Sequence, residues 1–144
     1  MKFLGVIPAR YESTRLPRKP LKDICGHSMI EWVYKRAMKS NLDEVVVATD
    51  SQEVFDTVKS FGGEVVLTDV NHFNGTSRIA EVCEKITDYD VIINIQGDEP
   101  LIEPDMINSL ISVFKKEEGL KMATLKHKLL KKEDIENPNY VKVV

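Results

Sequence analysis

The chain has 144 residues, of which 42% are hydrophobic and 30% are charged, and its formal net charge is −3. This length suits one domain whose core needs neither a metal ion nor a disulfide for stability. The small acidic excess argues against a nucleic-acid or anionic-membrane surface, and no apolar run reaches the roughly 18 residues of a membrane span, so we expect a cytoplasmic protein.

Short apolar runs alternate with amphipathic segments along the chain. The apolar runs predict strands at 3–7, 45–48, 64–67, 91–95 and 122–125. The segments between them predict helices at 28–39, 50–61, 76–86 and 104–116. Alternation of this kind builds right-handed βαβ units, so the sequence predicts an α/β fold that is doubly wound around a mainly parallel sheet.

Three details refine this prediction. Ser28 and Asp50 each precede a glutamate by three positions, which predicts them as helix N-caps. The run at 91–95 is continuous and β-branched, which predicts a central strand covered on both faces. The final NPNYVKVV resembles a strand that has just begun, so we interpret 1–144 as one domain of a chain truncated at its C-terminus.

Polar segments follow three of the predicted strands. They are ARYESTRLPRK after the first strand, TDVNHFNGTSR after the third and QGDEP after the fourth. Doubly wound sheets bind their ligands at the carboxyl ends of the strands. We therefore expect these three segments to meet at one edge of the sheet.

The first polar segment concentrates positive charge in a mildly acidic protein. Arg10, Arg15 and Lys19 lie in a proline-containing loop that has neither a GxxxxGK[ST] nor a GxGxxG pattern. Side chains would therefore hold a phosphate here, since arginine offers a bidentate fork and lysine a compact charge. The pattern favours a triphosphate site, and the alternative is a solvated basic loop.

The other two segments supply complementary chemistry. Asp98 follows the fourth strand, where a carboxylate suits Mg²⁺ that keeps waters and phosphates as its other ligands. A basic loop and a metal-binding acid at one edge fit nucleotidyl transfer; a pair of surface acids is the alternative. Gly75 permits close backbone approach at a helix N-terminus, which suits recognition of a base or a phosphate, and Arg78 could bind either group. Simple capping of the helix by Thr76 is the alternative.

The segments IPARYxSTRLPxKPL, VVVATD, GTxRIAEV, NIQGDEPLI and NPNYVKVV together resemble the sugar-acid cytidylyltransferases over nearly the whole chain. The SxRxPxK core is shared across that group, and QGDEPLI favours the branch that acts on 3-deoxy-manno-octulosonate (KDO). The resemblance implies transfer of CMP from CTP to KDO with Mg²⁺, in the cytoplasm, for lipopolysaccharide core synthesis. It also implies a longer enzyme that forms a homodimer and whose sugar-binding half lies beyond this chain.

The resemblance also assigns roles to individual residues. Contacts to the triphosphate are implied for Arg10, Arg15 and Lys19, a metal contact for Asp98, and positions around the nucleotide for Ala9, Gly75, Arg78 and Gln96. The chain departs from the family pattern at Arg18, where the family usually has glycine, and at Ser77, where aspartate is expected. A CMP-sialate or 8-amino-KDO cytidylyltransferase and a non-catalytic nucleotide-binding fragment are the alternatives.

Overall fold

A computed structural model describes residues 1–11 and 17–143. The strands in these ranges are Phe3–Ala9 (β1), Asp23–Ile24 (β2), His27–Ser28 (β3), Glu44–Thr49 (β4), Glu64–Leu67 (β5) and Val91–Asn94 (β6). The helices are Met29–Ala37 (α1), Gln52–Ser60 (α2), Gly75–Lys85 (α3), Pro104–Lys116 (α4) and Lys132–Glu136 (α5), with a 3-10 turn at Lys19–Leu21. Arg15 lies outside the described residues.

Four strands form a parallel sheet in the order β5-β4-β1-β6. The chain runs from β1 to β4 and β5 on one side, and then returns to place β6 on the other side of β1. The topological switch point therefore lies between β1 and β6, which is where a sheet of this type binds its ligand.

Helices cover both faces of the sheet. Phe3 and Ile7 of β1 pack on one face in a cluster with residues of α1, α2 and α4. Leu4 and Val6 point to the opposite face, where they pack with residues of α3. The period-two alternation of the strand thus divides the core in two, and the predicted doubly wound α/β fold is confirmed.

Two predictions near β6 are wrong. The sequence predicts a central strand at 91–95, but β6 lies at an edge of the sheet. Among the described residues it pairs with β1 alone, and β1 and β4 occupy the centre. The predicted strand at 122–125 is absent: these residues have no ladder partner and line a groove of about 910 Å³ between β6 and α4. β-propensity produces a strand only where a partner edge is engaged.

The helix starts differ slightly from the predicted ones. Ser28 caps α1 as predicted, because its hydroxyl accepts a hydrogen bond from the backbone of the first turn. Ser51, and not Asp50, caps α2, and Asn74, and not Thr76, caps α3. The first of these corrections matters for the site, because it leaves the Asp50 carboxylate available for another contact.

None of the helices in the described part of the chain is long and apolar enough to cross a membrane. Cys25 and Cys83 are both free thiols. Burial raises the pKa of the Cys83 thiol, so this side chain is a poor source of thiolate.

Candidate nucleotide-binding site

Two glycines bring the polar segments together at the end of β1. A Cβ atom on Gly97 would lie 3.0 Å from the carbonyl oxygen of Pro8, and a Cβ atom on Gly75 would lie 3.1 Å from the Pro8 ring. A side chain at Gly97 would crowd the Pro8 carbonyl, so glycine favours this close approach. The start of α3 and the QGDEP segment therefore both close on β1, as predicted.

Lys19 and Asp98 meet beside this point. Lys19 Nζ lies 2.7 Å from Asp98 Oδ2, although the residues are 79 positions apart in sequence. Their side chains are 35% and 49% exposed, so a ligand can reach both. An exposed ion pair contributes less than about 1 kcal/mol, and an incoming charged ligand can therefore replace it at small cost.

Arg10 joins the first polar segment to the second. Its Nη2 atom donates a hydrogen bond of 2.5 Å to the carbonyl oxygen of His72. His72 belongs to residues 68–74, which we call the β5–α3 connection. The guanidinium is thus exposed at the same edge of the sheet as Lys19, and its position depends on this connection.

Arg18 closes the base of the basic loop. Its backbone N–H donates to the Tyr11 carbonyl at 3.2 Å, and its guanidinium lies 5.9 Å from the centre of the Tyr11 ring and pairs with Glu53 of α2. Its φ of 58° and ψ of 29° are left-handed. Glycine adopts this conformation without strain, which gives a physical reason for the glycine that the resemblance led us to expect here.

Arg78 is fully buried beneath the site. Its Nη2 lies 2.5 Å from Asp50 Oδ2, its Nη1 donates to the Thr68 hydroxyl, and the Asp69 carbonyl lies 3.4 Å away. Asp50 Oδ1 in turn lies 3.5 Å from the Tyr11 amide. Arg78 thus ties the ends of β1, β4 and β5 together, and its predicted place beside the cytosine and ribose stays a prediction.

Glu81 is a residue that sequence reasoning missed. Its Oε2 accepts a hydrogen bond of 2.8 Å from the Asp69 amide and lies 2.5 Å from His72 Nε2, while Oε1 lies 2.7 Å from Lys85 Nζ. The contacts with Lys85, His72 and Asp69, in that order, lower the pKa of Glu81 to about 2. The spacing of Glu81 and Lys85 is visible in the sequence, but the contacts to the β5–α3 connection arise only in the fold.

The remaining predicted residues lie around the same edge. Ala9 is buried at the end of β1, with 2% of its surface exposed. Gln96 is exposed, and its amide donates to Asn94 Oδ1 at 3.2 Å. The Ser77 hydroxyl donates to the Asn74 carbonyl, so it helps to close the first turn of α3.

A metal ion would find one candidate ligand here. No group of three or more His, Cys, Asp or Glu side chains within 1–11 and 17–143 is arranged to hold a metal. Asp98 is an exposed carboxylate next to a predicted phosphate-binding lysine. Mg²⁺ commonly takes one or two carboxylates and completes its shell with water and substrate phosphates, so Asp98 fits an ion that arrives with a nucleotide better than a preformed cage.

The fold and the site define a doubly wound α/β protein whose basic and acidic side chains meet at the switch point of a parallel sheet. A family model described as Cytidylyltransferase matches residues 4–144. The chain therefore belongs to the cytidylyltransferase family.

Individual relatives are more specific. The chain is 71% identical over 144 residues to a 3-deoxy-manno-octulosonate cytidylyltransferase of Fusobacterium nucleatum, covering all of this chain and 59% of that protein. It is 49% identical over 146 residues to the protein of the same name from Saccharophagus degradans, covering all of this chain and 57% of that protein.

Among solved structures, CMP:2-keto-3-deoxy-manno-octonic acid synthetase complexed with CTP is similar to the chain with a TM-score of 0.81 and 45% identity. The alignment covers 83% of this chain and 50% of that one. The chain thus spans little more than half the length of the curated relatives it matches.

Proposed function

We propose that the protein transfers CMP from CTP to KDO, giving CMP-KDO and pyrophosphate. The observation that carries the proposal is the contact between Lys19 and Asp98 at the switch point. It joins a cation suited to phosphate with a carboxylate suited to a phosphate-bound metal. The names of the relatives and the CTP in one of the similar structures support the same reaction.

In this reaction an oxygen of the sugar's anomeric hydroxyl attacks the α-phosphorus of CTP. A new oxygen–phosphorus bond forms, the bond from the α-phosphorus to the bridging oxygen breaks, and pyrophosphate leaves with the electron pair. The proton of the attacking hydroxyl passes to solvent water. Lys19 leaves Asp98 to contact the triphosphate, where Arg10 and Arg15 join it. These cations stabilise the charge that develops on the departing pyrophosphate.

Asp98 would hold Mg²⁺ in this scheme. The ion, when bound, neutralises phosphate charge. The release of Asp98 from Lys19 frees one carboxylate ligand and one phosphate-binding cation together, so nucleotide and metal binding support each other.

The cytosine and ribose would lie between the end of β1 and the start of α3. We assign to this region the backbone of Ala9 together with Gly75 and Gln96, and Arg78, whose side chain is fully buried, would support the region from beneath. The close contact of Gly75 and Gly97 with Pro8 supports the assignment, because it leaves backbone groups rather than side chains at the floor of the site.

For the whole protein we propose a cytoplasmic homodimer that uses Mg²⁺ and supplies CMP-KDO for lipopolysaccharide core synthesis. Residues 1–144 would form its nucleotide-binding domain. KDO is preferred to sialate or 8-amino-KDO because the two curated relatives described above are named for KDO.

The test is pyrophosphate release by the intact protein from Mg·CTP with KDO, sialate or 8-amino-KDO. We expect release with KDO and a loss of about 10²–10³ in rate for Asp98→Asn. Asp88→Asn is the matched control, because it removes the same charge from an exposed turn at the opposite end of β6. Absence of release with KDO, or full activity of Asp98→Asn, would refute the proposal.

A further inference from the structure

The β5–α3 connection is held from one side by helix α3. Glu81 accepts a hydrogen bond of 2.8 Å from the Asp69 amide and contacts the His72 ring at 2.5 Å. The neighbouring Lys85 donates to the carbonyl of Leu67 at 3.0 Å and to Glu81 at 2.7 Å. Two side chains one turn apart on the helix thus hold the last residue of β5, Leu67, and two residues of the connection, Asp69 and His72.

Arg10 depends on the same segment. The ring of His72 contacts Glu81, and its carbonyl oxygen accepts the hydrogen bond from Arg10 Nη2 at 2.5 Å. One residue therefore connects a carboxylate on α3 with a cation that we place on the triphosphate. A shift of the connection would move the carbonyl that Arg10 uses.

The contact matters because a free arginine side chain populates many rotamers. Holding it before the ligand arrives removes much of the entropy cost of binding, and each immobilised long side chain is worth about three- to tenfold in affinity. Arg10 is exposed, so little packing restrains it, and the His72 carbonyl supplies the restraint. The His72 and Glu81 side chains are only 18% and 20% exposed, which suits a supporting role behind the site.

We infer that Glu81 is a positioning residue for Arg10. It fixes Asp69 and His72, and through the His72 carbonyl it keeps the Arg10 guanidinium in one orientation before nucleotide binds. The inference rests on the proposed function in one respect, namely that Arg10 meets the triphosphate.

The test compares Glu81→Gln with Glu84→Gln. Glu84 lies on the same helix, is exposed, and loses the same charge. We expect the dissociation constant for Mg·CTP, measured by calorimetry on the intact protein, to rise about three- to tenfold in Glu81→Gln and to stay unchanged in Glu84→Gln. In an Arg10→Ala background, Glu81→Gln should have no further effect, since interacting residues are non-additive.

A measurement without nucleotide separates this inference from the proposed function. In Glu81→Gln, but not in Glu84→Gln, the side-chain NMR signal of Arg10 should shift and the Asp69 amide should exchange faster. If Glu81→Gln fails to fold, Glu81→Asp provides the same comparison with the charge retained and the reach shortened.

The outcomes are distinct. An equal loss of affinity with and without Arg10, or an Arg10 signal that does not respond to Glu81 variants, would overturn the positioning role. Failure of the unmodified protein to bind CTP would count against the proposed function, and the Arg10 signal would still decide the role of Glu81.

Discussion

Removing the Asp50 carboxylate should strongly destabilise the fold. Arg78 is fully buried, and among the described residues Asp50 is its ion-pair partner, at 2.5 Å. In Asp50→Asn the guanidinium keeps Thr68 and the Asp69 carbonyl as neutral acceptors but loses its counter-ion. Breaking a buried pair from one side costs about 3–5 kcal/mol, and since the Asp50 side chain is 17% exposed we expect a value near the lower end, about 3 kcal/mol.

The converse substitution should cost less. In Arg78→Met the remaining Asp50 carboxylate can reach water and keeps the Tyr11 amide 3.5 Å away, whereas the buried guanidinium in Asp50→Asn has no such outlet. Replacing both partners, as in Asp50→Asn with Arg78→Met, should restore part of the loss, because the unpaired buried charge is then gone.

Urea denaturation of the three variants measures these differences as free energies of unfolding. A loss of about 3 kcal/mol corresponds to a fall of roughly 6–12 °C in Tm for a chain of this size. An Asp50→Asn variant as stable as the parent protein would refute the reasoning about burial. Equal losses of unfolding free energy in the two single variants would refute it as well.

Three further predictions concern the site. Arg18→Gly should leave the stability measured by thermal unfolding unchanged or raise it by up to about 1 kcal/mol, because relief of the left-handed backbone strain outweighs the loss of an exposed pair with Glu53. Arg18→Ala, which keeps the strain, should be less stable than Arg18→Gly. Lys19→Ala should weaken Mg·CTP binding in low-salt calorimetry, and Lys22→Ala, which removes an exposed charge, should not. Glu81 has a folded pKa of about 2 against 4.5, so it stabilises the fold above pH 4.5, and this contribution is lost as the pH falls towards 2. Between pH 6 and pH 2 the unfolding free energy of Glu81→Gln should therefore fall less than that of the parent protein.

Each of these has a clear opposite outcome. A strongly destabilised Arg18→Gly variant would mean that the contacts of Arg18 outweigh its strain. Equal CTP affinity for Lys19→Ala and the parent protein would remove Lys19 from the site. Parallel pH curves for the parent protein and Glu81→Gln would show that the Glu81 contacts do not persist in solution.

Local sequence pattern predicted an element well where the residues of that element and its immediate neighbours determine its bounds. The bounds of β5 and of α4 match the prediction, because period, capping and turn signals all lie within a few residues. The meeting of the polar segments also followed from a general rule, since carboxyl ends of parallel strands share one edge. At 91–95 the strand itself forms, at Val91–Asn94, but its predicted central position is wrong, and the predicted strand at 122–125 is absent. Both outcomes depend on which strand edges are occupied.

The site divides in the same way. By itself the sequence determined the α/β class, the basic loop and the roles expected of Lys19 and Asp98, because residue type and position after a strand are local properties. Only the tertiary structure decided that Asp50 supports Arg78 and that Glu81 supports Arg10 through His72. The physical reason is that burial and hydrogen-bond partners between distant residues are set by how strands and helices pack, and no local pattern records them.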